Sequence, residues 1–242
     1  MASVLAAPGA ARHRAAPCAT SRAWLPTRRL PAIRVQASAA PSAQVKPEIG
    51  GAVETLKKAA ADASVHPVQV FDALRTLEQA KLQPSEDWAS TIGGSAPPGN
   101  RWRLVFTSGT KQVQDALKGV GKGGGQYFPL TACQRWDATK QEIENGIYLG
   151  RFAALTFKGP YKMDGKVLAF DFDTLNLRLG GWTPSFPLKA KLDASKFTRG
   201  KKDPFFVFFY VDSGLICARG RGGGIAVWAR TTPQWELEAG VV

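Results

Sequence analysis

The chain has 242 residues, 44% of them hydrophobic and 21% charged, with a formal net charge of +13. That length and apolar content suit one globular domain with extensions and exclude a chain dominated by disorder. No apolar run reaches the roughly eighteen residues of a transmembrane helix, and two histidines, His13 and His66, leave no histidine-based catalytic or metal centre to assemble.

The first acidic residue is Glu48, and before it stand Arg12, Arg14, Arg22, Arg28, Arg29, Arg34 and Lys46 among many Ala, Pro and Ser. This is transit-peptide composition over residues 1–37, with Val35-Gln36-Ala37 before Ser38 as the expected processing site. Its Ala and Pro content favours a plastid over a mitochondrion. The absence of a second apolar signal argues against the thylakoid lumen. Removing this segment takes away six Arg and no acid, so the charge falls from +13 to +7. Cys18 leaves with it; Cys133 and Cys217 have no CxxC spacing and sit in strand patterns, as small buried apolar residues do.

Residues 38–50 read as a linker, 51–92 as a helical segment and 93–232 as a β domain. Glu48 to Asp62 has helix-forming composition with Val53, Leu56 and Ala60 on one side. A second helix is expected after His66, opened by Pro67 and carrying Val70, Phe71, Leu74, Leu77 and Leu82 at helical spacing. Gly93 to Gly99 reads as a linker.

Eight strands are then expected, at 101–107, 127–135, 146–157, 166–179, 185–192, 205–211, 215–219 and 225–230. A helical turn at Val113 to Leu117 interrupts the Lys and Gly-rich connection after the first. Asn145-Gly146 is a turn signal. In 166–179 the apolar alternation changes parity between Phe172 and Leu175, which predicts a bulge at Asp173-Thr174 and a sharply bent sheet. Asp212-Ser213-Gly214 predicts a hairpin loop with Gly214 in the left-handed position, and the glycines of Arg219 to Gly224 predict a second tight turn. The expected fold is mainly β: an eight-stranded antiparallel, lipocalin-like barrel with one or two N-terminal helices, the alternative being an open sheet or sandwich.

Tyr210-Val211-Asp212, Leu215, Arg219-Gly220, Gly223 and an apolar strand ending in Arg230 resemble the C-terminal signature of the plastid lipid-associated protein (fibrillin) family. Asn100-Arg101-Trp102-Arg103-Leu104-Val105-Phe106-Thr107-Ser108 resembles the strand that opens the same family's domain. The resemblance covers Asn100 to Arg230. It implies a non-enzymatic lipocalin-like protein of plastids that binds prenyl or acyl lipids, on plastoglobules or stroma-facing thylakoid surfaces. Ser213 and Ile216 depart from the family pattern, each removing a charge near Asp212 and Arg219.

Trp102, Phe106, Phe157, Phe170, Phe172 and Trp228 are the candidate wall of a lipid site, with Tyr210, Asp212 and Arg219 as its polar groups. The same aromatic parity would also fill a solid core. Lys189, Lys191, Lys196, Arg199, Lys201 and Lys202 against Asp193 give a local charge of +5, a candidate membrane-surface contact with Trp182, Phe186 and Phe197 nearby. No cofactor, metal or nucleic acid is expected. The alternatives are a stromal enzyme or enzyme partner in lipid or quinone metabolism, using Asp171 and Asp173, and RNA binding through Arg219 to Gly224.

Overall fold

The computed structural model describes residues 47–85, 87–119, 124–200 and 202–242. Residues 1–37 with their processing site, residues 38–46 of the expected linker, and Lys201 lie outside the described residues; residues 47–50 of that linker belong instead to the first helix. The helices are α1 (Pro47–Asp62), α2 (Pro67–Gln79), α3 (Trp88–Gly93), α4 (Thr110–Leu117) and α5 (Pro233–Ala239). The strands are β1 (Asn100–Ser108), β2 (Gln126–Tyr127), β3 (Thr131–Asp137), β4 (Glu142–Leu149), β5 (Ala153–Asp164) and β6 (Val167–Phe170). They continue with β7 (Thr174–Leu179), β8 (Ser185–Pro187), β9 (Phe205–Val211), β10 (Leu215–Gly220) and β11 (Ile225–Arg230).

Eight of these strands close an antiparallel barrel in the order β1, β3, β4, β5, β6, β9, β10, β11, with β11 returning to β1. Neighbours in space are neighbours in sequence, as expected of a meander. The barrel has the expected eight strands, but four of the expected members differ: 127–135 divides into β2 and β3, and 185–192 shrinks to β8, which lies outside the barrel. The run 146–157 spans the end of β4, a turn and the start of β5. The run 166–179 splits into β6, which belongs to the barrel, and β7, which leaves it to pair with β5 and with the three-residue β8. Strands β4, β5, β7 and β8 therefore extend past the barrel as a flared wing.

The break between β6 and β7 is the expected bulge, displaced slightly toward the N-terminus. Tyr161 pairs with Phe170 but Lys158 pairs with Thr174, so one extra residue is absorbed across Asp171 to Asp173. Strand β5 meets this bulge at Gly159, where a Cβ would stand 2.0 Å from the Asp171 carbonyl oxygen. Asn145-Gly146 does not turn the chain. It lies inside β4, opposite Gln134 and Cys133, because the ring of Tyr148 occupies the space that a side chain at 146 would need. The chain turns instead at Gly150, with φ of +60°. Gly214 is not in the left-handed region; Asp212 closes that hairpin by accepting from the Gly214 and Leu215 amides at 2.7 and 2.6 Å. Gly223, at φ +92°, turns the next one.

The apolar stripes of α1 and α2 pack on the outer face of the barrel. Leu56, Val70, Phe71, Leu74 and Leu77 meet Phe106, Cys217, Ile225 and Val227. The His66 imidazole caps α2, Nδ1 accepting from the Val68 amide at 3.3 Å. The helix stops at Gln79, short of Leu82, because the chain turns through Lys81 at φ +48°. Two helices were not expected. α3 closes one end of the barrel, where the Trp102 indole donates to the Ile92 carbonyl at 2.9 Å. α5, capped by Thr232, brings Trp235 near Cys133, Tyr148 and Ala154 on the outer face of β3 to β5. Among the described residues no helix is long and apolar enough to cross a membrane.

Asp137 ties the turn between β3 and β4. Burial would raise its pKa, but bonds from the Thr139 hydroxyl and the Thr139 and Lys140 amides, with Arg135 nearby, outweigh that and hold the carboxyl below its ordinary range. A depressed folded-state pKa contributes stability above the unfolded value of about 3.9 that is lost as pH falls through the folded value. Asp137→Asn is therefore expected to lower Tm at neutral pH and to flatten its fall below about pH 4, measured by thermal melts across pH.

Candidate functional site

Residues directly opposite each other on paired strands share a face, as do alternate residues along a strand. One such row runs Trp102, Gln134, Asn145, Phe157, Leu175, Phe186 across β1, β3, β4, β5, β7 and β8. Trp102 is fully buried and Phe186 is 44% exposed. The inner face of the barrel thus continues, without a change of side, as an open face of the wing. The next rows run Ala132, Ile147, Leu155, Leu177 and Leu149, Ala153, Leu179, Trp182.

The barrel interior is filled toward the end that α3 closes, by Trp102, Trp136, Ile143, Tyr161, Leu168, Phe208 and Ile216 under Trp88 and Ile92. Toward the other end its lining is only half buried, at Leu104, Phe172, Phe206 and Ala226. A relay of rings links the two. Centroid distances are 5.7 Å from Phe157 to Phe172, 5.3 Å to Phe170, 5.1 Å to Phe206, 5.3 Å to Trp228 and 6.2 Å to Trp136. Offset and edge-on aromatic pairs of this spacing are favourable.

The wing face is exposed. Of the twelve large hydrophobic side chains exposed among the described residues, nine belong to the wing or its borders: Leu130, Ile147, Leu149, Phe152, Leu155, Leu179, Trp182, Phe186 and Leu188. Phe152, in the turn between β4 and β5, is 73% exposed and Trp182 is 60% exposed. Contiguous apolar surface of this kind marks a site of interaction, whereas scattered single residues do not.

The structure brings together Phe157, Phe170, Phe172 and Trp228 of the expected wall and separates the rest. Trp102 belongs to the filled end. Phe106 lies on the outer face, edge-on to Tyr127 at 5.5 Å, because β1 shifts register between Leu104 and Phe106. Tyr210, Asp212 and Arg219 do not line the interior either. The Tyr210 hydroxyl donates to Asp212 at 2.7 Å on the helix-covered side, a bulge in β9 having turned Phe209 and Tyr210 outward together. Arg219 grips Glu78 of α2 with two bonds of 2.7 and 2.6 Å. This polar group joins barrel to helices. Arg219→Ala is accordingly expected to cost about 1–2 kcal/mol, seen as a Tm lowered by a few degrees, with no change in the binding of an apolar probe.

Sequence reasoning did not assign the polar groups that do face the interior. The indole N–H groups of Trp136 and Trp228 and the side-chain oxygen of Gln134 are buried with no hydrogen-bond partner. Alternation along β3 and β11 was the signal available for all three. Asp171 pairs with Lys189, and Asp173 accepts from the Thr174 hydroxyl at 2.7 Å and the Leu192 amide at 2.9 Å, so both carboxylates anchor the segment after β8. In that segment Lys189, Lys191, Lys196, Arg199 and Lys202 are exposed. Arg199 stacks over Phe205 at 4.0 Å, Lys196 lies 3.5 Å from Asp193, and Phe197 is buried. Cys133 and Cys217 are buried free thiols, and burial pushes the Cys133 thiol up to about 12.

Comparison of the chain with family models, with curated proteins and with solved structures finds no match.

Proposed function

We propose that this chain is a non-enzymatic plastid lipid-associated protein of the fibrillin type. It holds a prenyl or acyl chain at the open end of the barrel and rests by its wing on a plastoglobule or stroma-facing thylakoid surface. The observation that carries this reading is the single face that runs from the barrel interior to the exposed wing, largely apolar and interrupted by Gln134 on β3 and Asn145 on β4. The transit-peptide composition of residues 1–37 and the resemblance over Asn100 to Arg230 support the compartment and the family.

Burying about ten methylenes yields on the order of 8 kcal/mol gross, against about 0.5–1.5 kcal/mol net for one neutral hydrogen bond. Affinity therefore comes from the chain of the ligand. Selectivity comes from Gln134 and Trp228, an acceptor and a donor left without partners nearest the open end, which suit a head group bearing both a carbonyl oxygen and a hydroxyl. Of the exposed lysines after β8, Lys189 and Lys196 are paired with Asp171 and Asp193, and Lys191 and Lys202 add roughly 1 kcal/mol each near an anionic surface.

Titration with an anthroyloxy-labelled fatty acid and sedimentation with vesicles containing phosphatidylglycerol test this reading. Saturable binding that quenches tryptophan fluorescence, with co-sedimentation weakened by salt, is the expected outcome. A protein that takes up no probe and stays in the supernatant refutes it.

A further inference from the structure

The strands that wall the barrel mouth are the strands that carry the exposed wing. From one side of each, β4 sends Ile143 into the buried interior and Leu149 onto the open face, and β5 does the same with Tyr161 and Leu155. A ligand leaving the mouth on this side passes directly onto the wing. The wing carries an exposed cation at its tip, where Arg151 stands beside Phe152, whereas at the β8 border Lys189 is paired with Asp171 and Lys191 shares a cleft with Glu142, Asp173 and Asp193. A broad exposed apolar face with Arg151 at its tip matches a lipid surface with anionic head groups better than it matches a basic partner.

A wing seated on such a surface turns the mouth toward the acyl region. Building on the lipid-holding function proposed above, we infer that the protein is a transfer device: it exchanges its apolar ligand with membranes by collision, through the docked mouth. The ligand does not pass through water. The flare created by the bulge at Asp171 to Asp173 is what makes this possible, since it parts β7 from β6 and opens the inner face toward one side.

The full chain, loaded with anthroyloxy-palmitate, is mixed with phosphatidylcholine vesicles containing about one quarter phosphatidylglycerol and a non-exchangeable quencher. Collision predicts a transfer rate that rises about tenfold for a tenfold rise in vesicle concentration and falls severalfold when phosphatidylglycerol is omitted. The variant Phe152→Asp with Trp182→Asp is expected to bind the probe within about twofold of the parent, since both side chains are exposed, but to transfer it at a rate independent of vesicle concentration. A parent rate that does not depend on vesicle concentration overturns collision in favour of release into water. A chain whose wing is covered by a second copy, seen as a dimer by sedimentation with vesicles unable to compete, overturns it as well. Failure to load the probe at all defeats the lipid-holding function itself, and the transfer inference with it.

Discussion

Replacing Leu149 and Phe152 together by aspartate is expected to cut affinity for phosphatidylglycerol-containing vesicles by at least about 100-fold while leaving Tm within about 2 °C of the parent. Leu149 is 63% exposed and Phe152 73% exposed, so neither contributes much to folding. Fully burying a leucine or phenylalanine side chain is worth about 1.5–3 kcal/mol, and two of them about 3–6 kcal/mol, which corresponds to roughly two to four orders of magnitude in affinity. The introduced charges add a desolvation penalty and a repulsion from anionic head groups. Vesicle sedimentation and thermal melts on the same preparations give both numbers. Unchanged affinity in this variant would place the lipid contact elsewhere on the molecule.

Trp102→Ala has the largest expected effect on stability. The side chain is fully buried in the filled end of the barrel, its indole N–H holds the Ile92 carbonyl at 2.9 Å, and the Arg230 guanidinium lies over its ring at 5.2 Å. Deleting a buried tryptophan costs about 3–5 kcal/mol, and the lost bond to Ile92 leaves a buried carbonyl without a partner. With about 2–4 °C of Tm per kcal/mol for a chain of this size, a fall of roughly 10–15 °C follows. The loss also frees α3, since Ile92 and Gly93 are its last turn and Gly93 fits against Ala138 and the Tyr161 hydroxyl with no room for a Cβ. Hydrogen exchange is therefore expected to rise first at residues 88–93 and along β1. A variant that melts within about 2 °C of the parent would show that α3 is not held through this indole.

An eight-stranded meander was legible because it needs only local information, alternation giving strands and turn residues their ends, although the expected eight ran β4 into β5 and counted 185–192 in the barrel. The parity change between Phe172 and Leu175 even located the bend that parts β6 from β7. Asn145-Gly146 misled because its signal is the same whether glycine frees a turn or vacates space for a ring, and only the packing of Tyr148 distinguishes the two. α3 escaped notice because six residues carry too little periodicity, although the short α5 left a readable start in Thr232-Pro233.

The candidate site was legible by halves. Parity correctly grouped Phe157, Phe170, Phe172 and Trp228, since alternation holds across β5, β6 and β11. It failed for Phe106 because β1 carries a register shift, and Tyr210, chosen as a polar group, faces outward because β9 carries another; every residue beyond such a shift changes face. Arg219 was misassigned for a different reason. Its partner Glu78 lies 141 positions away on α2, a pairing that no local pattern contains.

The most direct test is hydrogen–deuterium exchange of the full chain with and without phosphatidylglycerol-containing vesicles. Slowed exchange confined to β4 and β5 around Gly150, to β7 and β8, and to the Phe205 to Phe208 stretch of β9 is the predicted result. Protection on α1 and α2 instead, or no protection anywhere under conditions where the protein sediments with vesicles, would contradict a lipid contact through the face that runs from the barrel interior onto the wing.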